Sequence, residues 1–175
     1  MAAIIDHLPG WFTRRTGNLI GFLWCAALMA YALFVQYRLH DEPCPLCILQ
    51  RIAVIAAGVV FLVACLHNAG RPAGRLYAVL IWAAVLIGAA IAARHMWIIA
   101  QPPGTVAECG ASLDYMMDVL PLKEVLAKVL SGSGECAKVA WRFLGLSMPA
   151  WVLINFVALG VLGTLANVVA PARRD

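Results

Sequence analysis

The chain has 175 residues, 63% of them hydrophobic and 13% charged, where soluble domains run at roughly 45–50% apolar and about 25% charged. Its mean hydropathy is +0.87, which excludes an ordinary soluble globular enzyme and, more firmly, a disordered chain. A formal charge of +4 is too small to point to a polyanion, so no nucleic-acid partner is expected.

The apolar residues fall in four blocks: Leu19–Val35, Ile48–Leu66, Leu76–Ala93 and Trp151–Ala170. A bilayer core of about 30 Å needs about 20 helical residues, so each block is long enough to cross once its flanks are included. Lipid offers no partner to a backbone N–H or C=O, and the blocks show no barrel-type alternation, so helices are expected. The only charge inside a block is Arg51. The reading is an all-α fold: a four-helix transmembrane bundle forming a single integral membrane domain over residues 1–175, embedded in a lipid bilayer.

Four spans put both termini on one side. That side, with the turn between spans two and three, carries Arg14, Arg15, Arg71, Arg75, Arg173 and Arg174 against Asp6 and Asp175. The opposite loops, 36–47 and 94–150, hold six basic and seven acidic residues. The bias predicts cytoplasmic termini and two outward loops. A cleavable signal ending at Ala30-Tyr31-Ala32 is the rival reading of the first span; the apolar run continues past those residues, which argues for a retained helix.

Six cysteines sort into two classes. Cys25 and Cys65 lie inside spans, where a thiol behaves as a small hydrophobe. Cys44, Cys47, Cys109 and Cys136 all lie in outward loops, a distribution that fits an oxidising compartment. Cys44-Pro45-Leu46-Cys47 directly precedes span two. Proline is favoured at the first helical position and forces an extended residue before it. Cys44 is therefore expected as the N-cap and Cys47 in the first turn, where helix-end N–H groups lower a thiol pKa. Arg51 follows Cys47 by four residues and Cys44 by seven, so all three share a helix face and the cation favours thiolate. Arg51 snorkelling to headgroups is the bland alternative. Position 48 is Ile, which excludes Cys-x-x-Cys-His haem attachment. A Cys₄ zinc site normally uses two close pairs, and Cys109 and Cys136 are 27 positions apart. An inert structural disulfide at Cys44–Cys47 would close too little chain to stabilise much.

The loop from Arg94 to Ala150 is too long for a passive connector. Leu113, Met116, Met117 and Leu120 follow helical spacing, and Leu122, Val125, Leu126, Val129 and Leu130 resume it after Pro121. Two short amphipathic helices broken at Pro121 are expected, suited to a membrane interface or to a small packed subdomain. Ser131-Gly132-Ser133-Gly134 puts Cys136 on a flexible tether, accessible to an incoming thiolate. His95 ends span three at the level of Cys47 and Arg51, and suits either an interfacial role or a hydrogen bond to a membrane cofactor. Two dithiols on one membrane face can pass electrons by exchange. The sequence has no metal, haem or flavin motif, so a lipid-soluble quinone fits as the acceptor.

The run Pro43-Cys44-Pro45-Leu46-Cys47-Ile48-Leu49-Gln50-Arg51, the two loop cysteines, and Trp141-Arg142-Phe143-Leu144-Gly145-Leu146-Ser147-Met148-Pro149-Ala150-Trp151 resemble the disulfide bond formation protein B (DsbB) family over about residues 18–170. The resemblance implies a bacterial inner-membrane oxidoreductase that reoxidises the periplasmic dithiol oxidase DsbA and passes electrons to ubiquinone, with menaquinone as the other option. It implies redox-active disulfides Cys44–Cys47 and Cys109–Cys136. Cys109 would be attacked by DsbA, Cys136 would move to Cys44, and Cys47 would be freed toward the quinone. Arg51 and His95 would hold that quinone. Gln50 departs from the family, some of whose members carry an acidic residue there. The match after span three is loose, which leaves Gln101 without an assigned role. The competing reading is a non-catalytic four-span scaffold with a disulfide-braced outer loop.

Overall fold

The computed structural model describes residues 11–39, 43–68, 70–102, 113–132, 136 and 142–170. Four long helices carry the fold: α1 (Arg14–Leu39), α2 (Pro45–His67), α3 (Arg71–Ile99) and α6 (Met148–Thr164), the last continued by a π-helical turn over Leu165–Val169. All four are long and apolar enough to cross a membrane. Each of the first three runs past its apolar block, by about a turn or more at one end or both. Arg14, Arg15, Arg38, Arg71 and Arg75 all lie on helix. Hydropathy marks the lipid depth, whereas the helix continues for as long as its backbone is paired; Arg15, Arg38, Arg71 and Arg75 are exposed and reach outward from the helix ends, while Arg14 is buried.

The helices pack in chain order, α1 on α2, α2 on α3 and α3 on α6, and the π-helical turn closes the bundle against α1. One apolar cluster fills the middle: Cys25, Ala57, Phe61, Ile81, Val85, Phe156 and Leu159 are its main members. The contact of α3 with α6 is close. A Cβ at Gly88 would stand 2.2 Å from the Phe156 ring, so glycine is what lets the ring seat against the α3 backbone. Cys25 and Cys65 are both buried among apolar residues.

At the other end of the bundle, α4 (Leu113–Val119) and α5 (Leu122–Ser131) are separated at Pro121, as the two phases of the apolar pattern require. Their inner face, Met116, Val125 and Val129, joins a second cluster with Cys44, Leu46, Ile98 and Cys136. Tyr115, Met117, Val119, Leu122, Leu126 and Leu130 stay exposed on the outer face. Arg94 fastens α5 to α3: its Nε donates to Leu130 O at 2.9 Å and its Nη2 to Ser131 O at 3.2 Å, while the guanidinium lies 4.2 Å over the Trp97 ring. A cation at a helix C-terminus meets carbonyls that have no partner within the helix.

A two-residue hairpin, β1 (Arg142–Phe143) with β2 (Leu146–Ser147), leads into α6 and is absent from the sequence reading. Its turn residues Leu144 and Gly145 have φ of 51° and 80°. Two consecutive positive φ values make a type I′ connection, the form that matches the twist of the flanking strands.

Candidate redox site

Helix α2 begins as its sequence dictates. Cys44 is the N-cap in extended conformation (φ −62°, ψ 160°), with proline in the first turn. Ile48 N donates to Cys44 O at 3.1 Å, closing that turn. The geometry brings the two sulfurs of the Cys-x-x-Cys onto one side, 3.1 Å apart, with Cys44 Sγ donating to Cys47 Sγ. Cys44 is buried and Cys47 half-buried, so Cys47 is the more accessible of the two.

His95 reaches this pair from α3. It is 4% exposed, and its ring stands between four groups. Nε2 lies 3.8 Å from Cys44 Sγ and 3.1 Å from Cys136 O. Nδ1 lies 4.0 Å from Cys47 Sγ and 3.3 Å from Gln50 Nε2. A carbonyl can only accept and an amide nitrogen can only donate. The proton is therefore on Nε2, donated to Cys136 O, and Nδ1 presents its lone pair to Gln50 and to Cys47.

Cys136 is 1% exposed and lies in the same apolar cluster as Cys44. The composition around it predicted an open tether. Instead it is buried in one apolar cluster with Ile98 and the inner face of α5, Val125 and Val129. Cys109, Ser133, Gly134 and Trp141 lie outside the described residues, and so does the Cys109 side of the Cys109–Cys136 pairing.

Arg51 lies one turn beyond Cys47, half-buried, and its guanidinium turns to α1 rather than to a sulfur. Nη1 donates to Gln36 Oε1 at 2.5 Å and Nη2 to Ala32 O at 3.2 Å. A planar fork selects strong oxygen acceptors over a weak thiol acceptor. Gln36 and Gln50 are the two site residues that sequence reasoning did not assign. Gln50 had a signal, its i+3 spacing from Cys47. Gln36 had only a weak one, as a polar residue at the end of an apolar block.

The arrangement places two thiols against an imidazole whose other nitrogen holds the backbone of a third cysteine, at one end of four membrane-length helices. Adjacent sulfurs in that setting can exchange disulfides, and the imidazole can accept or return the proton that exchange moves.

The model of the family described as disulfide bond formation protein DsbB matches residues 14–166. A protein of Methylococcus capsulatus called disulfide bond formation protein B is 53% identical over 153 residues, covering 87% of this chain and 93% of that one. The protein of that name in Chromohalobacter salexigens is 50% identical over 173 residues, 97% of this chain and all of the relative. Its counterpart in Hahella chejuensis is 45% identical over 164 residues, 94% and 99% of the two chains.

Proposed function

The chain belongs to the DsbB family, whose members are multi-pass membrane thiol oxidoreductases of disulfide bond formation, and from that premise we propose that it reoxidises DsbA and passes the electrons to a membrane quinone. It does so as one membrane domain in the bacterial inner membrane, with cytoplasmic termini and loops 36–47 and 94–150 in the periplasm. The charge asymmetry of the sequence supports this orientation.

The observation that carries the reading is the convergence on His95 of Cys44, Cys47 and the Cys136 backbone. An inner dithiol with no route to the long loop could not relay electrons; here one imidazole lies against both inner sulfurs and the backbone of Cys136. In the proposed cycle a DsbA thiolate attacks Cys109 of a Cys109–Cys136 disulfide, and Cys136 leaves as thiolate. Cys136 Sγ then attacks Cys44 Sγ of the Cys44–Cys47 disulfide, and Cys47 leaves as thiolate. DsbA's second thiolate resolves the mixed disulfide at Cys109, and Cys109 closes again on Cys136, so that Cys44 is released. Two electrons and two protons have moved from the DsbA dithiol to the Cys44–Cys47 pair. A bound ubiquinone or menaquinone supplies the two-electron, two-proton acceptor. The residues fit such a group: Cys47 is the accessible sulfur, and among the described residues only Gln36 and Ala32 engage the five N–H groups of Arg51. In this reading Arg51 and His95 hold the quinone head.

The test is turnover of purified protein with reduced DsbA and a water-soluble quinone. Catalytic loss of quinone is expected, and it is expected to vanish in Cys44→Ala, Cys47→Ala, Cys109→Ala and Cys136→Ala. Turnover that persists in those variants overturns the relay. DsbA that stays reduced with the unaltered chain returns the scaffold reading.

A further inference from the structure

The same geometry has a second chemical consequence when the inner pair is reduced. Cys44, Cys47 and His95 form a cluster whose three ligand atoms all lie within 4.8 Å of one another. We propose that the dithiol form of this cluster is a binding site for a thiophilic d¹⁰ cation of the Zn²⁺ and Cd²⁺ class, and that the disulfide form is not. The proposal rests on this pair passing through a dithiol state; it does not depend on which acceptor later reoxidises it.

Distances carry the first part. Zinc–sulfur bonds of about 2.3 Å and zinc–nitrogen bonds of about 2.0 Å in a tetrahedron separate two sulfurs by about 3.8 Å, and a sulfur from a nitrogen by about 3.5 Å. The observed separations are 3.1 Å between the sulfurs and 4.0 Å from Cys47 Sγ to His95 Nδ1. Rotation about the cysteine side chains closes differences of that size. Two thiolates and an imidazole are also the soft-to-borderline donors such cations select over oxygen.

The orientation of His95 carries the second part. A metal-binding histidine typically donates its other ring N–H to a carbonyl or carboxylate, which fixes its tautomer. Here Nε2 donates to Cys136 O at 3.1 Å, leaving Nδ1 as the lone-pair nitrogen on the side of Cys47. Gln50 Nε2 occupies that lone pair at 3.3 Å and must turn away for a cation to bind. Gln50 is thus a competitor for the nitrogen rather than a ligand. The α2 N-terminus adds N–H groups beside the negative charge the cysteines bring.

Binding involves no redox change. Two S–H bonds break, two metal–sulfur bonds form and two protons are released, with His95 Nδ1 as the third protein donor. In the oxidised pair both sulfurs are bound to each other, and no thiolate exists to donate. A captured cation ties up both sulfur lone pairs, so it holds the pair reduced and withdraws it from exchange. The ligand set is distinct from a Cys₄ site, since neither Cys109 nor the Cys136 sulfur takes part.

The test uses full-length protein in detergent under anaerobic conditions, with Cd²⁺ as the probe. Equilibrium dialysis gives stoichiometry and affinity, and the sulfur-to-cadmium charge-transfer absorption reports thiolate ligation. The Cys109→Ser/Cys136→Ser variant keeps the Cys136 carbonyl and isolates the inner pair. Reduced, it is expected to take up one chelator-removable ion per chain. Oxidised at Cys44–Cys47, it is expected to take up none. In that background His95→Asn should weaken binding by about tenfold or more, Cys47→Ser should abolish the charge-transfer band, and Gln50→Ala should tighten binding. Retained helicity by circular dichroism certifies each variant. Equal uptake by the oxidised and reduced chains, or an affinity unmoved in both Cys47→Ser and His95→Asn, overturns the site. Neither DsbA nor a quinone is present, so a failed oxidase assay and a failed metal titration are separate results.

Discussion

At Arg51 a guanidinium sits at the head of an apolar helix with its fork on Gln36 Oε1 and Ala32 O of the neighbouring one. Hydrogen bonds to charged groups are worth about 1.5–3 kcal/mol and set geometry as well as energy. Gln36 is therefore a positioning residue for Arg51. In Gln36→Ala the Ala32 carbonyl remains, so the cation stays but its fork is no longer fixed on two sides. A cost of about 1 kcal/mol, about fivefold in the apparent KM for quinone, is expected. Single-turnover disulfide exchange with DsbA should not move, because Gln36 touches no cysteine among the described contacts. A raised KM for DsbA with an unchanged one for quinone would remove Gln36 from that role. His95 is the other residue whose surroundings decide its chemistry. Its proton is fixed on Nε2 by a backbone carbonyl, which no side-chain substitution removes, so the basic nitrogen keeps facing Cys47.

At the scale of elements, α4 and α5 form a lid on the cysteines. Val125 and Val129 are 2% and 4% exposed beneath α5, against 1% for Cys136. Shortening Val125 to Ala removes about two methylene equivalents, about 1.5 kcal/mol of burial. If Cys136 reacts through local opening of α5, its alkylation in the reduced protein should quicken about tenfold in Val125→Ala, read by mass spectrometry of its peptide. An unchanged rate would mean that α5 does not gate the sulfur. The hairpin before α6 makes a second prediction. Leu144 is 77% exposed at φ 51°, a conformation that costs a branched residue about 1 kcal/mol and that asparagine tolerates. Leu144→Asn should raise stability by about that amount in thermal unfolding; a lowered Tm would show that the leucine side chain has a contact worth more than its strain. These elements also mark what could be read in the chain. The four apolar blocks, the Pro45 helix start and the break at Pro121 were legible because lipid depth and proline chemistry act locally. The hairpin was not, since Leu144 is a poor turn residue by composition. The depth of His95 is legible in the sequence but its face is not, because α3 is apolar nearly all round and its pattern fixes no rotation. Gln36 meets Arg51 only through the packing of α1 on α2.

At the scale of the whole molecule, polar contacts between helices add to the apolar packing of the bundle. Lipid is as apolar as the helix faces, so burial gives little drive for one helix to seek another, and packing and interhelical hydrogen bonds set the arrangement. Trp24 Nε1 donates to Asn155 Oδ1 at 2.9 Å, joining α1 to α6. Further along, Asn18 and Asn167 pair reciprocally. Asn18 Nδ2 donates to Asn167 Oδ1 at 3.0 Å, and Asn167 Nδ2 donates to Asn18 Oδ1 at 2.8 Å. Both are 0–1% exposed and 149 positions apart in the chain, which is why no local pattern reveals them. Asn167 lies in the π-helical turn over Leu165–Val169, a local widening of the helix that shifts which side chains face inward. Each amide satisfies the other, so removing one leaves its partner buried with a lost donor and acceptor. Asn18→Ala and Asn167→Ala should each destabilise the bundle by about 1–2 kcal/mol. The double variant should lose less than the sum, with a coupling of about 1 kcal/mol, within the range of interhelical hydrogen bonds in membranes. Turnover per folded molecule should be unchanged, because the pair lies at the far end of α1 from the sulfurs. Strictly additive losses in unfolding from detergent would show that the two amides do not act as a pair, leaving packing and the Trp24–Asn155 hydrogen bond to hold the first and last helices together.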